Sequence, residues 1–261
     1  MQMPVNAFKR ALREGRPQIG LWSMLCSNIV AEIVATAGFD WVVIDTEHSP
    51  NELPSVLQQL QAMQIDANTA TPVVRPAWND PVLIKRFLDV GSPNLILPFV
   101  QDAEEARRAV AATRYPPQGI RGVSMSQRAN RYGLVTDYHA RANEELGVIV
   151  QVETLSALDR IPDIAKVDGV DGIFIGPADL SADAGHLGNS AHPEAQAAIM
   201  KGLQACKAAG KPCGILAPVE DDARRYFDAG FTFVAVGVDQ GLLTKATRDI
   251  VKRFRSHIGR S

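Results

Sequence analysis

Eight short apolar runs recur along this chain, each followed by a longer amphipathic segment, and that rhythm leaves few folds open. The runs are QIGLWS (18–23), WVVID (41–45), TPVVRP (71–76), NLILPF (94–99), GVIVQVE (147–153), GIFIG (172–176), PCGILA (212–217) and FVAVGVD (233–239). Most are continuous apolar stretches, the mark of strands covered on both faces, and parallel strands need helical crossovers between them. The intervening segments supply these. In DPVLIKRFLDVG (80–91), Val82, Ile84, Phe87, Leu88 and Val90 share one face, with Asp80 as N-cap and Pro81 in the first helical position. In QGLLTKATRDIVKRFRSH (240–257), Leu242, Leu243, Ala246, Ile250 and Phe254 form another stripe. Eight such units fill 261 residues. They predict an α/β fold with one domain over 1–261, a single (β/α)8 TIM barrel, ahead of a doubly wound open sheet. One interval is too long for a simple connection. Residues 114–146 are read as an inserted βα-region excursion before strand 5, with a short helix near 137–145.

Composition narrows the function by exclusion. A net charge of −2 gives no reason to expect nucleic acid or a membrane surface. No window approaches the ~20 apolar residues of a spanning helix. The opening MQMPVNAFKRALREGRP lacks the apolar core of a secretory signal. Three cysteines (Cys26, Cys206, Cys213) without CxxC spacing suit reduced thiols, so a cytoplasmic location is expected.

The C-terminal ends of barrel strands converge on one mouth, and chemistry concentrates there. Strand 2 ends in Asp45, Glu47 and His48, strand 3 in Arg75, strand 5 in Gln151 and Glu153, and strand 8 in Asp239, while Asp179 follows strand 6. Each has a plain structural alternative, since an aspartate at a strand end is often the N-cap of the next helix, as Asp239 could be. Together they outweigh those alternatives. Glu153 and Asp179, with no cysteine or paired histidine nearby, make a hard oxygen donor set for Mg²⁺ or Mn²⁺, with Co²⁺ also compatible, and no organic cofactor is expected. Arg75 offers a planar donor fork to an enolate or carboxylate. Asp45 and His48 are expected to form a dyad in which the carboxylate orients the imidazole for proton transfer. Glu47 either supports the loop or bonds a water near the metal. None of the eight lysines falls at a strand's C-terminal end, which disfavours Schiff-base chemistry, and the acidic loop APVEDD after strand 7 disfavours a phosphorylated substrate.

At this point the chain resembles a known family. GFDWVVIDTEHSPNE, PVVRPAWNDPVLIKRFLDVG, ATRYPPQGIRGV, VQVET and GVDGIFIGPADLSADAGHLGNSAHPE are similar to motifs of the HpcH/HpaI aldolases, and the likeness runs from about residue 6 to 255. The resemblance implies a class II pyruvate aldolase of bacterial aromatic-compound catabolism. It would cleave 4-hydroxy-2-oxo acids reversibly to pyruvate and an aldehyde through a metal-stabilised pyruvate enolate, with oxaloacetate decarboxylation as a side reaction. It implies metal binding by Glu153 and Asp179, and catalytic roles for Asp45, His48 and Arg75. Pyruvate contacts would come from Gln151 and from the backbone at Ala178 and Asp179. Asp89 would reach a neighbouring subunit's site in a homohexamer, a trimer of dimers with exchanged C-terminal helices. Departures from the family pattern at LWSMLCSNIVAE, Thr46 and SMSQRANRYG are expected around the aldehyde pocket. Two rivals remain. A CoA-thioester lyase of malyl-CoA or citryl-CoA type would need a CoA groove, for which no basic segment stands out. A non-catalytic 2-oxo-acid sensor would not need a proton-handling pair.

Overall fold

The computed structural model describes residues 1–66 and 68–259 and is a closed barrel of eight parallel strands in sequence order. The strands are β1 (Gln18–Ser23), β2 (Trp41–Asp45), β3 (Thr71–Arg75), β4 (Asn94–Leu97), β5 (Gly147–Val152), β6 (Gly172–Ile175), β7 (Cys213–Leu216) and β8 (Phe233–Val238). The barrel, rather than the open sheet, is the fold: β8 closes onto β1 through Gln18–Phe233, Ile19–Val234 and Gly20–Ala235.

Two cores share the strands, and the two-residue period of a strand decides which side chain joins which. In β2, Trp41 and Val43 point into the barrel and pack with Val73, Ile149, Phe174 and Phe233, whereas Val42 and Ile44 face the helices. Each fully buried side chain of this size contributes about 1.5–3 kcal/mol. The helix Ala7–Arg13 closes the barrel at the strands' N-terminal end, with the Phe8 ring 5.3 Å from Trp41 and 5.8 Å, edge on, from Phe233. Gly20 and Gly214 are required by that filling, because a side chain at either would run into the Trp41 or Phe233 ring. The floor is therefore solid, and only the C-terminal mouth is left for chemistry.

The long interval differs in position from expectation. It begins at the C-terminus of the helix Ala103–Thr113, which runs antiparallel to the strands, and it ends at the start of β5. It is thus an αβ connection on the barrel's N-terminal side, not a βα loop. Arg128, in a short 3₁₀ turn (Arg128–Asn130), donates to the carbonyl oxygens of Val90 at 2.6 Å and Leu60 at 3.2 Å, both at that end. SMSQRANRYG accordingly does not line this chain's own mouth. The expected short helix is present at Tyr138–Glu145.

The last helix, Asp239–His257, buries only Asp239 against its own barrel. Its apolar stripe of Leu242, Leu243, Ile250, Val251 and Phe254 is exposed, Phe254 at 65%. Cys26, Cys206 and Cys213 are free thiols. Among the described residues, no helix is long and apolar enough to cross a membrane.

Candidate active site

The same parity that sends Trp41 and Val43 inward sends Asp45 inward, and Val73 does so for Arg75. These two are register partners at the last rung of the β2–β3 pair. Arg75 therefore meets Asp45 in a two-point clamp, its Nε donating to Oδ1 at 2.8 Å and its Nη2 to Oδ2 at 2.7 Å. Trp22, inward on β1, lies beneath the guanidinium, with the ring centre 4.8 Å from its central carbon. Both partners are almost fully buried. Burial alone pushes the Asp45 carboxyl up, but the Arg75 hydrogen bonds, the Arg75 charge and the Glu47 N–H outweigh it and hold the carboxyl below its usual range. Removing one partner of a buried ion pair typically costs about 3–5 kcal/mol. Asp45→Asn is therefore expected to lower unfolding stability by about 3 kcal/mol, measured by urea denaturation, because Arg75 keeps only part of its countercharge.

The chain turns sharply after Asp45. Ser49 Oγ and Asn51 Nδ2 both donate to the Asp45 carbonyl, at 2.6 and 2.8 Å, and Gln59 steadies Asn51 from the next helix at 2.6 Å. This bend separates the members of the expected dyad. Both Asp45 oxygens are taken by Arg75, and one also accepts the Glu47 N–H at 3.0 Å, while His48 points out at the rim. The His48 ring nitrogen lies 3.9 Å from Glu47, not against Asp45. In this structure Asp45 is bonded to Arg75, and the carboxylate nearest the His48 ring is that of Glu47.

Glu153 follows β5 with the inward parity of Ile149 and Gln151 and is 2% exposed. Its Oε1 accepts the Phe99 N–H at 2.8 Å, and its Oε2 accepts from Gln151. Phe99 holds a left-handed φ of 55° to present that N–H, a conformation costing about 1–3 kcal/mol. Gly176 admits the carboxylate, since a side chain there would strike Glu153 and Gln151. Asp179 stands in the first turn of the helix Pro177–Asp183, beside Ala178, and both are open to the mouth.

Glu47, Glu153 and Asp179 lie near enough for their charges to act on one another. Burial pushes Glu153 up; the Gln151 bond opposes this, and the charges of Glu47 and Asp179 add to it. Burial also pushes Glu47 up, against the pull of Arg75 and with the repulsion of Asp45 and Asp179. Arg75 Nη1 comes within 2.8 Å of Glu47 Oε2, but as a charge contact outside hydrogen-bond alignment, so that oxygen has no donor. Gln151 Oε1 is likewise buried without a donor. A cluster of mutually repelling carboxylates, with oxygen acceptors left over, fits a hard divalent cation.

Asp89 belongs elsewhere on this chain. It ends the helix Pro81–Asp89, on the barrel's N-terminal side, and accepts from Arg121 Nη2 at 2.8 Å. Asp239 is the first residue of the last helix, not its N-cap, which is Val238; its carboxylate accepts the Gln240 N–H of that first turn at 2.6 Å and also accepts from Ser23 Oγ and the Met24 and Leu25 N–H groups, which shapes the loop after β1. The lysines whose pKa burial lowers are also at the wrong end for imine chemistry: Lys9 Nζ donates to the Leu146 carbonyl and Lys211 Nζ to that of Val170, both ahead of strands.

Residues 18–246 match the profile of the HpcH/HpaI aldolase/citrate lyase family. The chain belongs to that family. It is 58% identical over 250 residues to a 4-hydroxy-2-oxo-heptane-1,7-dioate aldolase of Klebsiella pneumoniae, covering 95% of this chain and 94% of the relative. It is 52% identical over 250 residues to a 5-keto-4-deoxy-D-glucarate aldolase of Citrobacter koseri, covering 96% of each. A crystal structure of an HpcH/HpaI aldolase/citrate lyase family protein from Burkholderia cenocepacia superimposes with a TM-score of 0.93 at 41% identity, covering 96% of this chain and 100% of that one. This HpcH/HpaI family member is accordingly a carbon–carbon lyase of the aldolase type. Three residues of its site escaped the sequence reading: Trp22 under the guanidinium, Phe99 with its N–H on Glu153, and Gly176. For Trp22 a signal existed, since it shares the inward parity of Gly20 on β1.

Proposed function

We propose that the protein is a class II pyruvate aldolase that cleaves 4-hydroxy-2-oxo acids to pyruvate and an aldehyde, and runs the reverse addition. The observation that carries this is the nest of Glu47, Glu153 and Asp179 beside an immobilised Arg75, at the mouth of a family barrel. Glu153 and Asp179 would hold a divalent cation, Mg²⁺, Mn²⁺ or Co²⁺, which would supply Lewis acidity favouring negative charge on the 2-oxo oxygen.

The chain's own groups do the rest. With Nε and one Nη2 hydrogen on Asp45, Arg75 still has donors on its Nη1–Nη2 edge for the 2-oxo acid. Gln151 and the Ala178–Asp179 backbone would fix the pyruvate carboxylate. His48, at the rim, takes the 4-hydroxyl proton through a water; the C3–C4 bond then breaks, its electron pair forms the pyruvate enolate, and the aldehyde leaves. The enolate charge falls on Arg75, and a proton returned to C3 completes pyruvate. Oxaloacetate decarboxylation passes through the same enolate and is expected as a side reaction. Asp45 serves by fixing Arg75.

Pyruvate release from a 4-hydroxy-2-oxo diacid, coupled to lactate dehydrogenase, tests this. Chelation should remove the activity and Mg²⁺, Mn²⁺ or Co²⁺ should restore it. Full activity in chelated, metal-analysed protein would overturn the proposal.

The assembly belongs to the same reading. A 19-residue helix with an exposed apolar stripe and only its first residue buried is built to pack on another subunit. We assign it to an exchanged-helix homohexamer, a trimer of dimers, in which Asp89 meets a neighbouring site. Deleting residues 240–261 should give smaller or insoluble species in sedimentation velocity. A wild-type monomer at assay concentration would contradict the assignment. The resemblance supports a role in aromatic-compound catabolism, and the three cysteines without CxxC spacing support a cytoplasmic location.

A further inference from the structure

Away from the mouth, a cluster of metal-ligating side chains stands out among the described residues. Between the helix Pro177–Asp183 and the helix Pro193–Ala208, the segment 184–192 is folded by successive turns. His186 N–H donates to Ser181 O at 2.7 Å, Asn189 N–H to His186 O at 2.9 Å, and His192 N–H to Asn189 O at 3.1 Å. These turns bring His186 back over His192, the two imidazoles stacking with centres 3.4 Å apart and planes 20° from parallel. Glu194 joins them, its Oε2 lying 2.6 Å from His186 Nε2. One donor atom from each of the three residues lies within 4.8 Å of the others.

A simpler reading makes His192 only the N-cap of its helix and His186–Glu194 only a surface ion pair. The N-cap bond is long, however, with the Glu194 N–H 3.3 Å from His192 Nδ1, so little is lost if the ring changes tautomer. The short His186–Glu194 contact has one proton between the two groups, and a cation can replace it. Stacked imidazoles with a carboxylate beside them form a two-nitrogen, one-oxygen set, which favours Zn²⁺, Ni²⁺, Co²⁺ and Cu²⁺ over Mg²⁺. The helix N-terminus opposes a cation, so affinity should fall below that of closed four-ligand centres.

We propose that His186, His192 and Glu194 form a second metal site, selective for borderline transition metals and chemically distinct from the all-oxygen nest at the mouth. Three ligands leave positions for water. The bound ion would clamp the segment that follows Asp179 onto the N-terminus of the helix Pro193–Ala208, and would not touch the reacting carbon atoms.

The test titrates Cu²⁺ into the full chain in millimolar Mg²⁺ and reads nitrogen superhyperfine coupling by electron paramagnetic resonance. Two variants accompany the wild type: the double variant His186→Ala, His192→Asn, whose asparagine keeps an N-cap acceptor, and Glu153→Gln. The proposal expects one equivalent of nitrogen-ligated copper in wild type and in Glu153→Gln. It expects at least a tenfold weaker nitrogen signal in the double variant, with its circular dichroism and pyruvate release unchanged. A wild type without nitrogen coupling overturns the site, as does undiminished coupling in the double variant. If the double variant does not fold, Glu194→Gln replaces it and must weaken Cu²⁺ binding measurably; unchanged binding there also overturns the site. Failure at the mouth would instead appear as lost aldol activity with the copper signal intact.

Discussion

Glu153→Gln is expected to weaken divalent-metal binding by more than about 100-fold, since even residues outside the ligand shell cost 10–100-fold when replaced. Pyruvate release should fall to background with it. The variant also has a stability signature opposite to that of Asp45. Glu153 and Glu47 have carboxyls pushed above the ordinary value of 4.5 in the folded, metal-free protein. Their contribution is fully present below the unfolded pKa and is lost as pH rises through the raised folded value. Metal-free wild type should therefore lose stability as pH climbs above the ordinary glutamate range, and Glu153→Gln should lose less. Asp45, held below its ordinary 3.8, works in the other direction: its contribution is present above that value and is lost as pH falls through the depressed one. Urea denaturation of metal-stripped protein across pH separates the two. A Glu153→Gln curve parallel to wild type above the ordinary glutamate range would remove the electrostatic argument for the nest.

The second large effect is at His48. Its imidazole is exposed and has no bonding contact with Glu153 or Asp179 in this structure, so His48→Ala should keep metal and pyruvate affinity. Aldol cleavage should nevertheless slow by about 10²–10⁴-fold, the range for losing a positioned acid–base group. A kcat within threefold of wild type would transfer proton handling to another group. Because Glu47, not Asp45, is the nearest carboxylate at 3.9 Å, Glu47→Gln should change the pH profile of kcat, whereas an Asp45 variant should act mainly through Arg75.

Most of the barrel was legible because parallel strands buried on both faces write themselves as continuous β-branched runs. WVVID matches β2 at both ends, and NLILPF overshoots β4 by Pro98 and Phe99, where the backbone breaks into the left-handed turn that serves Glu153. The Asp45–Arg75 clamp was legible in principle. Both residues hold the inward parity of the tryptophan–valine layer, and adjacent parallel strands in register must put them together. Proximity along the chain pointed instead to His48, three residues on, but a bend held by Ser49 and Asn51 turns that side chain away. The position of the 114–146 interval also follows from topology, since a connection leaving a helix returns to the strands' N-terminal end. What no local pattern carries is tertiary contact: Gly176 making room for Glu153 and His186 stacked on His192 each depend on segments meeting in space.

The proposed mechanism turns on one step: a water positioned by His48 takes a pyruvate methyl proton while Arg75, beside a divalent cation that Glu153 and Asp179 would hold, stabilises the enolate. Exchange of the pyruvate methyl protons in D₂O, followed by NMR without any aldehyde, isolates that step. The account predicts exchange in wild type with Mg²⁺ or Mn²⁺, none above background in metal-stripped protein, and none in Glu153→Gln at any practical metal concentration. Wild-type exchange persisting at full rate in protein shown by elemental analysis to hold no metal would contradict it.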